Sequence, residues 1–165
     1  MNRLYFKGCG TALVTPFKDN LEVDYDAYAA SIDRQVEAGV DFLVPLATTG
    51  ETPTLSASEK TQLLRTAREH AAGLPLLVGC GTNSLDGTLS NMPFGGDAWL
   101  VVVPYYNKPT QEGQYRYFKA VAERSSKPVV IYNVPGRTGA NMTADTMVRL
   151  ACDCPNIIAI KEASG

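Results

Sequence analysis

Val129-Val130-Ile131-Tyr132-Asn133-Val134-Pro135-Gly136-Arg137-Thr138 passes from an unbroken apolar run into a segment carrying amide, guanidinium and hydroxyl groups. A strand with one wet face alternates apolar with polar residues. Residues 129–132 do not alternate, so both faces are expected to be covered, as in a parallel sheet. Working outward, runs of the same kind occur at residues 11–14, 41–46, 76–80, 99–103 and 157–161. Six parallel strands joined by crossover helices are therefore predicted.

The connecting segments carry helix start and stop signals. Asp24 precedes Tyr28, Ile32 and Val36, and Gly39 supplies a stop. Ser56 and Glu59 form a capping-box pattern ahead of Leu63, Leu64, Ala67 and Ala71, with Gly73 and Pro75 closing that segment. Thr110 opens a run through Tyr117, Phe118, Val121 and Ala122, and Thr143 opens a shorter one through Met147, Leu150 and Ala151. The third unit is the odd one: its strand starts at 76 and the next at 99, a spacing of 23 residues against 28 to 35 elsewhere. Residues 84–92 offer one apolar face in Leu85, Leu89 and Met92, weakened by Gly87 and stopped by Pro93. A shortened third helix is expected, from an internal deletion near Met92 and Pro93 or a few residues missing there.

A complete (β/α)8 barrel uses about 250 residues, and this chain has 165. The expectation is an α/β chain forming a partial (β/α)8 TIM barrel, its first six strands, as one incomplete domain over residues 1–165. An open dinucleotide-binding sheet ranks lower, because Gly8-Cys9-Gly10-Thr11-Ala12-Leu13 lacks a third glycine.

Charge excludes several classes of function. Fifteen basic and 17 acidic residues are interspersed for a net charge of -2, which provides no basic stripe for nucleic acid. The longest apolar stretch, residues 98–103, falls far short of the roughly 20 residues needed to span a membrane. The N-terminal residues lack a signal-peptide core, so a cytoplasmic protein with reduced thiols is expected. Cys9, Cys80, Cys152 and Cys154 include no C-x2-C pair, and His70 is the single histidine, so no metal site is expected. His70 falls near a helix end, where a solvated or capping role suits it.

In such a barrel the chemistry sits where each strand ends. Thr48-Thr49-Gly50-Glu51, Pro104-Tyr105-Tyr106-Asn107-Lys108-Pro109, residues 132–138 and Lys161-Glu162 occupy those places. Lys161 closes the run Ile157-Ile158-Ala159-Ile160; a desolvated lysine loses basicity and becomes a nucleophile toward carbonyl carbon. By position alone a solvated strand-end lysine is the favoured reading. Tyr132, on the adjacent strand, is a proton donor or a core tyrosine. Thr48, Thr49 and Gly50 can cradle a small carboxylate or simply form a turn. Arg137 can clamp a second carboxylate or lie on the surface, and spacing does not choose a role for the Tyr105-Tyr106 pair.

Together with Gly10-Thr11-Ala12-Leu13-Val14-Thr15-Pro16-Phe17 and Lys161-Glu162-Ala163-Ser164-Gly165, these segments closely resemble the dihydrodipicolinate synthases, in family order along essentially the whole chain. The resemblance implies a barrel lyase of lysine and diaminopimelate biosynthesis that condenses pyruvate with aspartate 4-semialdehyde. It implies that Lys161 forms the pyruvate imine and that Thr49, with Gly50 in the same turn, holds the pyruvate carboxylate. Thr48, Tyr132 and Tyr106 would relay protons, Tyr106 reaching across a dimer interface, and Arg137 would bind the semialdehyde carboxylate. No metal or organic cofactor is implied, and full-length members form a homotetramer built as a dimer of dimers. N-acetylneuraminate lyase and keto-deoxy-sugar-acid aldolases resemble it less, since residues 136–138 place an arginine where the second substrate has a carboxylate. The sequence also predicts that strands one and six lack the neighbours a seventh and eighth unit would supply. A noncatalytic partial barrel that aggregates, or pairs its open edges with a second chain, is the competing expectation.

Overall fold

The computed structural model describes residues 6–92 and 95–165. The chain falls into two compact units. The first runs through Gly79 and takes in the segment ending at Asp97; the second is Cys80–Met92 with Ala98–Gly165.

In the first unit β1 (Gly10–Ala12) pairs in parallel with β2 (Phe42–Val44), placing Gly10 opposite Phe42 and Ala12 opposite Val44. A parallel bridge from Leu43 to Leu76 and the bond from Gly79 N–H to the Pro45 carbonyl (3.0 Å) lay β3 (Leu77–Gly79) beside β2. The strands are shorter than the apolar runs that mark them, because the run ends bend into turns. Helix α1 (Tyr25–Glu37) starts on Asp24, whose carboxylate accepts from Ala27 N–H at 2.9 Å. Helix α2 (Ala57–His70) starts on the expected capping box, with Ser56 N–H donating to Glu59 at 2.7 Å. Tyr28, Ile32, Leu43, Leu63, Ala67 and Leu76 are buried between these helices and strands. His70, in the last turn of α2, meets the Asp33 carboxylate of α1 at 2.8 Å, which joins the two helices on their outer side.

The second unit holds α3 (Leu85–Ser90), β4 (Ala98–Val102), α4 (Gln111–Arg124), β5 (Val129–Asn133), α5 (Pro135–Thr138), α6 (Ala144–Asp153) and β6 (Ile157–Glu162). Strands β4, β5 and β6 are parallel neighbours, with Val102 opposite Tyr132 and Tyr132 opposite Lys161. Thr110 and Thr143 cap α4 and α6 as their positions suggest, accepting from Gly113 and Thr146 N–H. The core is Val101, Val103, Phe118, Val121, Ile131 and Leu150.

The third helix is indeed short: α3 has 6 residues, capped by Ser84, whose hydroxyl accepts from Gly87 N–H at 3.1 Å. The expected stop at Pro93 lies outside the described residues. A polar knot reinforces this minimal helix. Thr88, fully buried, accepts from Thr82 N–H at 2.8 Å and lies 2.6 Å from the Tyr117 hydroxyl, which itself donates to the Thr82 carbonyl at 2.8 Å. All four cysteines are free; Cys9 and Cys152 are exposed, and burial pushes the Cys80 thiol up to about 12. Among the described residues no helix is long and apolar enough to cross a membrane.

Phe118 is fully buried on α4, so Phe118→Ala is expected to cost about 3–5 kcal/mol in urea unfolding. A loss under about 1 kcal/mol would show that α4 is not docked on the sheet as described.

Candidate active site

The first unit holds one tight turn with unpaired donors among the described residues. Ala47 ends the chain's passage from β2, and Thr48–Gly50 form a single 3-10 turn, with Gly50 N–H donating to the Ala47 carbonyl at 3.0 Å. Three features hold it. Buried Thr15, just beyond β1, donates its hydroxyl to the Gly50 carbonyl at 2.7 Å, and Thr52 donates its hydroxyl to the Ala47 carbonyl at 3.0 Å. Glu51 takes the left-handed conformation at φ 52. At Gly50 a Cβ would lie 3.1 Å from the Leu13 carbonyl oxygen, so a side chain there would press the turn off β1. Thr48 and Thr49 are exposed, and neither hydroxyl has a hydrogen-bond partner among the described residues. Their donors are thus available to a small polar ligand.

In the second unit, taken by itself, the candidate groups lie at the strand ends of β5 and β6. Lys161 Nζ stands 4.4 Å from the centroid of the Tyr132 ring, over its face. Lys161 is exposed at the end of β6, not enclosed as a desolvated lysine would be; the desolvation it does suffer pushes its ammonium below the ordinary value, and no carboxylate pairs with it among the described residues. Tyr132 is buried up to its hydroxyl, which has no hydrogen-bond partner among the described residues.

The segment after β5, read from sequence as a loop, is one turn of helix, α5, closed by Gly139 at φ 68. Arg137 lies exposed on this turn with no ion pair among the described residues. The loop after β4 lies against it, since Tyr106 N–H donates to the Thr138 carbonyl at 3.2 Å. Tyr106 and Lys108 are both left-handed, at φ 71 and 44, and the Tyr106 ring is 88% exposed. A left-handed, outward-facing tyrosine is costly to keep unless it serves an interaction.

Sequence reading passed over the residues that hold these groups: Thr15, Asn133 and Asn141. Asn133 is 1% exposed. Its amide donates to Asn141 Oδ1 (2.8 Å) and to both Glu162 oxygens (3.1 and 2.9 Å), while its own Oδ1 accepts from Met142 N–H (3.0 Å). The one signal for it was a polar residue closing an apolar run. Among the described residues no group of three or more His, Cys, Asp or Glu could hold a metal ion.

The sequence model of the Dihydrodipicolinate synthetase family matches residues 5–165. The chain belongs to that family. It is 55% identical over 164 residues to the 4-hydroxy-tetrahydrodipicolinate synthase of Phocaeicola vulgatus, covering 96% of this chain and 55% of that protein. Against the Porphyromonas gingivalis enzyme of the same name, identity is 48% over 170 residues, covering 100% of this chain and 57% of that protein. Among solved structures, the Thermotoga maritima dihydrodipicolinate synthase superposes with a TM-score of 0.92 at 45% identity, over 97% of this chain and 56% of that one. The Acinetobacter baumannii dihydrodipicolinate synthase, solved in complex with pyruvate, gives 0.91 at 41% identity, over 95% and 55%. The chain therefore spans about half the length of these relatives, and its fold is the family's α/β barrel in its first six strands, with the third helix shortened.

Removing the Thr15 hydroxyl leaves the Gly50 carbonyl unpaired in a buried place. Thr15→Val is expected to lower stability by about 1–3 kcal/mol, with faster amide exchange confined to residues 47–52. Unchanged exchange there would show that the turn holds itself.

Proposed function

We propose that this chain carries the pyruvate-activating chemistry of a 4-hydroxy-tetrahydrodipicolinate synthase, with Lys161 as the imine-forming lysine. The observation that carries the reading is Lys161 itself: an amine kept over an aromatic face, with no carboxylate among the described residues to hold its proton. The neutral amine attacks C2 of pyruvate, the carbonyl oxygen takes protons and leaves as water, and the resulting imine draws electrons from C3. An enamine carbon is then available to attack the aldehyde of aspartate 4-semialdehyde. The lysine supplies the electron sink, so the reading calls for neither metal nor organic cofactor.

The remaining roles follow the family resemblance together with the chemistry of each group. Tyr132 is the neighbouring acid–base group for the carbinolamine, and Thr48 and Tyr106 complete the proton relay. Thr49 and Gly50 are assigned to the pyruvate carboxylate, and the unpaired guanidinium of Arg137 to the carboxylate of the semialdehyde. The exposure of Tyr106 supports its service in a neighbouring subunit. The family's dimer of dimers is the assembly proposed, with a cytoplasmic location and all 165 residues as one incomplete barrel domain.

Borohydride reduction in the presence of pyruvate tests the proposal. A pyruvyl adduct mapped to Lys161 and lost in Lys161→Ala is expected. Because only the neutral amine attacks, and partial burial lowers the ammonium's pKa, the trapping rate should rise with pH through a midpoint below the about 10.4 of an ordinary lysine. A folded chain that yields no adduct would instead favour the noncatalytic partial barrel.

A further inference from the structure

The pairing of β5 with β6 is not uniform. Val129 faces Ile157 but Val130 faces Ala159, so β6 contains one extra residue, Ile158, at a bulge. Beyond it the pairs are Ile131 with Ile160, Tyr132 with Lys161 and Asn133 with Glu162. Without the bulge each partner would move by one: Ile160 would stand beside Tyr132, and Lys161 would turn to the other face beside Asn133. Some interaction after the bulge must hold the shifted register.

We propose that the bridge from the Asn133 amide to the Glu162 carboxylate holds the end of β6 in this register and so keeps the Lys161 amine against Tyr132. The inference rests on the reading of Lys161 as the imine-forming lysine, and it makes Asn133 and Glu162 positioning residues. Asn133 is a firm anchor: it is almost fully buried, with its Oδ1 engaged by Met142 N–H and its amide shared with Asn141. Glu162 is gripped from several sides, by Asn133 through both oxygens and by Ser164 N–H at 2.9 Å, while Ala163 N–H donates to the Asn133 carbonyl at 2.9 Å. The Asn133 bond holds the Glu162 carboxyl below its ordinary range, so the bridge is charge-assisted. In the slipped register the partner of Asn133 would be a lysine. An ammonium has no lone pair and cannot accept from the Asn133 amide N–H that the Glu162 carboxylate accepts, so the pairing selects Glu162 over Lys161. The same anchor fixes both ends of residues 133–142, the segment that carries Arg137.

The titratable group of β5 that faces Lys161 is Tyr132, and desolvation alone displaces its amine; no charged group on β5 or α6 acts on it. Loss of position is therefore read directly as a return of that amine toward an ordinary lysine.

The test is borohydride trapping of pyruvate across pH on the full chain, comparing wild type with Glu162→Ala, Asn133→Ala, Asn133→Asp and the exchange N133D/E162Q. Each single variant is expected to trap severalfold more slowly at neutral pH, with its midpoint moved up toward that of an ordinary lysine, while cooperative urea unfolding is retained. The exchange, in which a carboxylate at position 133 accepts from an amide at position 162, should restore midpoint and rate. Should Asn133→Ala fail to fold, Glu162→Ala decides, since it leaves Asn133 its bonds to Asn141 and Met142. Wild-type rate and midpoint in Glu162→Ala would overturn the inference and leave the site reading standing. So would an exchange that stays shifted. A folded wild type that traps no pyruvate would overturn the reading of Lys161, and the inference with it.

Discussion

Along a β-strand successive side chains point to opposite faces, so a single extra residue reverses everything that follows it. In β6 that residue comes at the start, where Val129 and Val130 of β5 meet Ile157 and Ala159. The irregularity determines that a lysine, and not an isoleucine, faces Tyr132. All the chemistry assigned to the second unit depends on this: the cation over the ring, its partial desolvation, and the separation of Lys161 from the carboxylate that follows it in sequence. Glu162 lies on the other face, where Asn133 holds it, so the most local ion pair available to the lysine does not form.

The two units build their functional ends by the same physical means. Polar groups follow the apolar runs at the strands' C-terminal ends, and in each unit one buried side chain braces a segment that carries them. Thr15 performs that service for the 48–50 turn and Asn133 for the segment after β5. Thr48, Thr49, Arg137 and Lys161 keep donors or charge with no partner among the described residues.

The short third helix is held mainly by polar contacts. Six residues of α3 bury little apolar surface, and the deficit is met by hydrogen bonds: Ser84 caps the helix, while Thr88 and Tyr117 lock it to the Thr82 backbone and to α4. Buried hydroxyls that satisfy one another add rigidity where packing area is scarce.

The apolar runs, their spacing and the capping residues Asp24, Ser56, Thr110 and Thr143 were enough to place six strands, the main helices and the stunted third one, because periodicity and caps are local properties. The family was legible for a similar reason, since its motifs fall at the strand ends in order. Strand limits were less legible, as apolar residues continue into turns, and the single turn of α5 was hidden by Pro135 and Gly136, which read as loop. The anchoring residues were not legible at all. Thr15 and Gly50 are separated by 35 positions, and Asn133 and Glu162 by 29. The sequence by itself determined which groups lie at the strand ends. Only tertiary structure decided which face each one takes, because a bulge and the bridge beside it arise from the pairing of two distant strands, and neither strand alone contains the register.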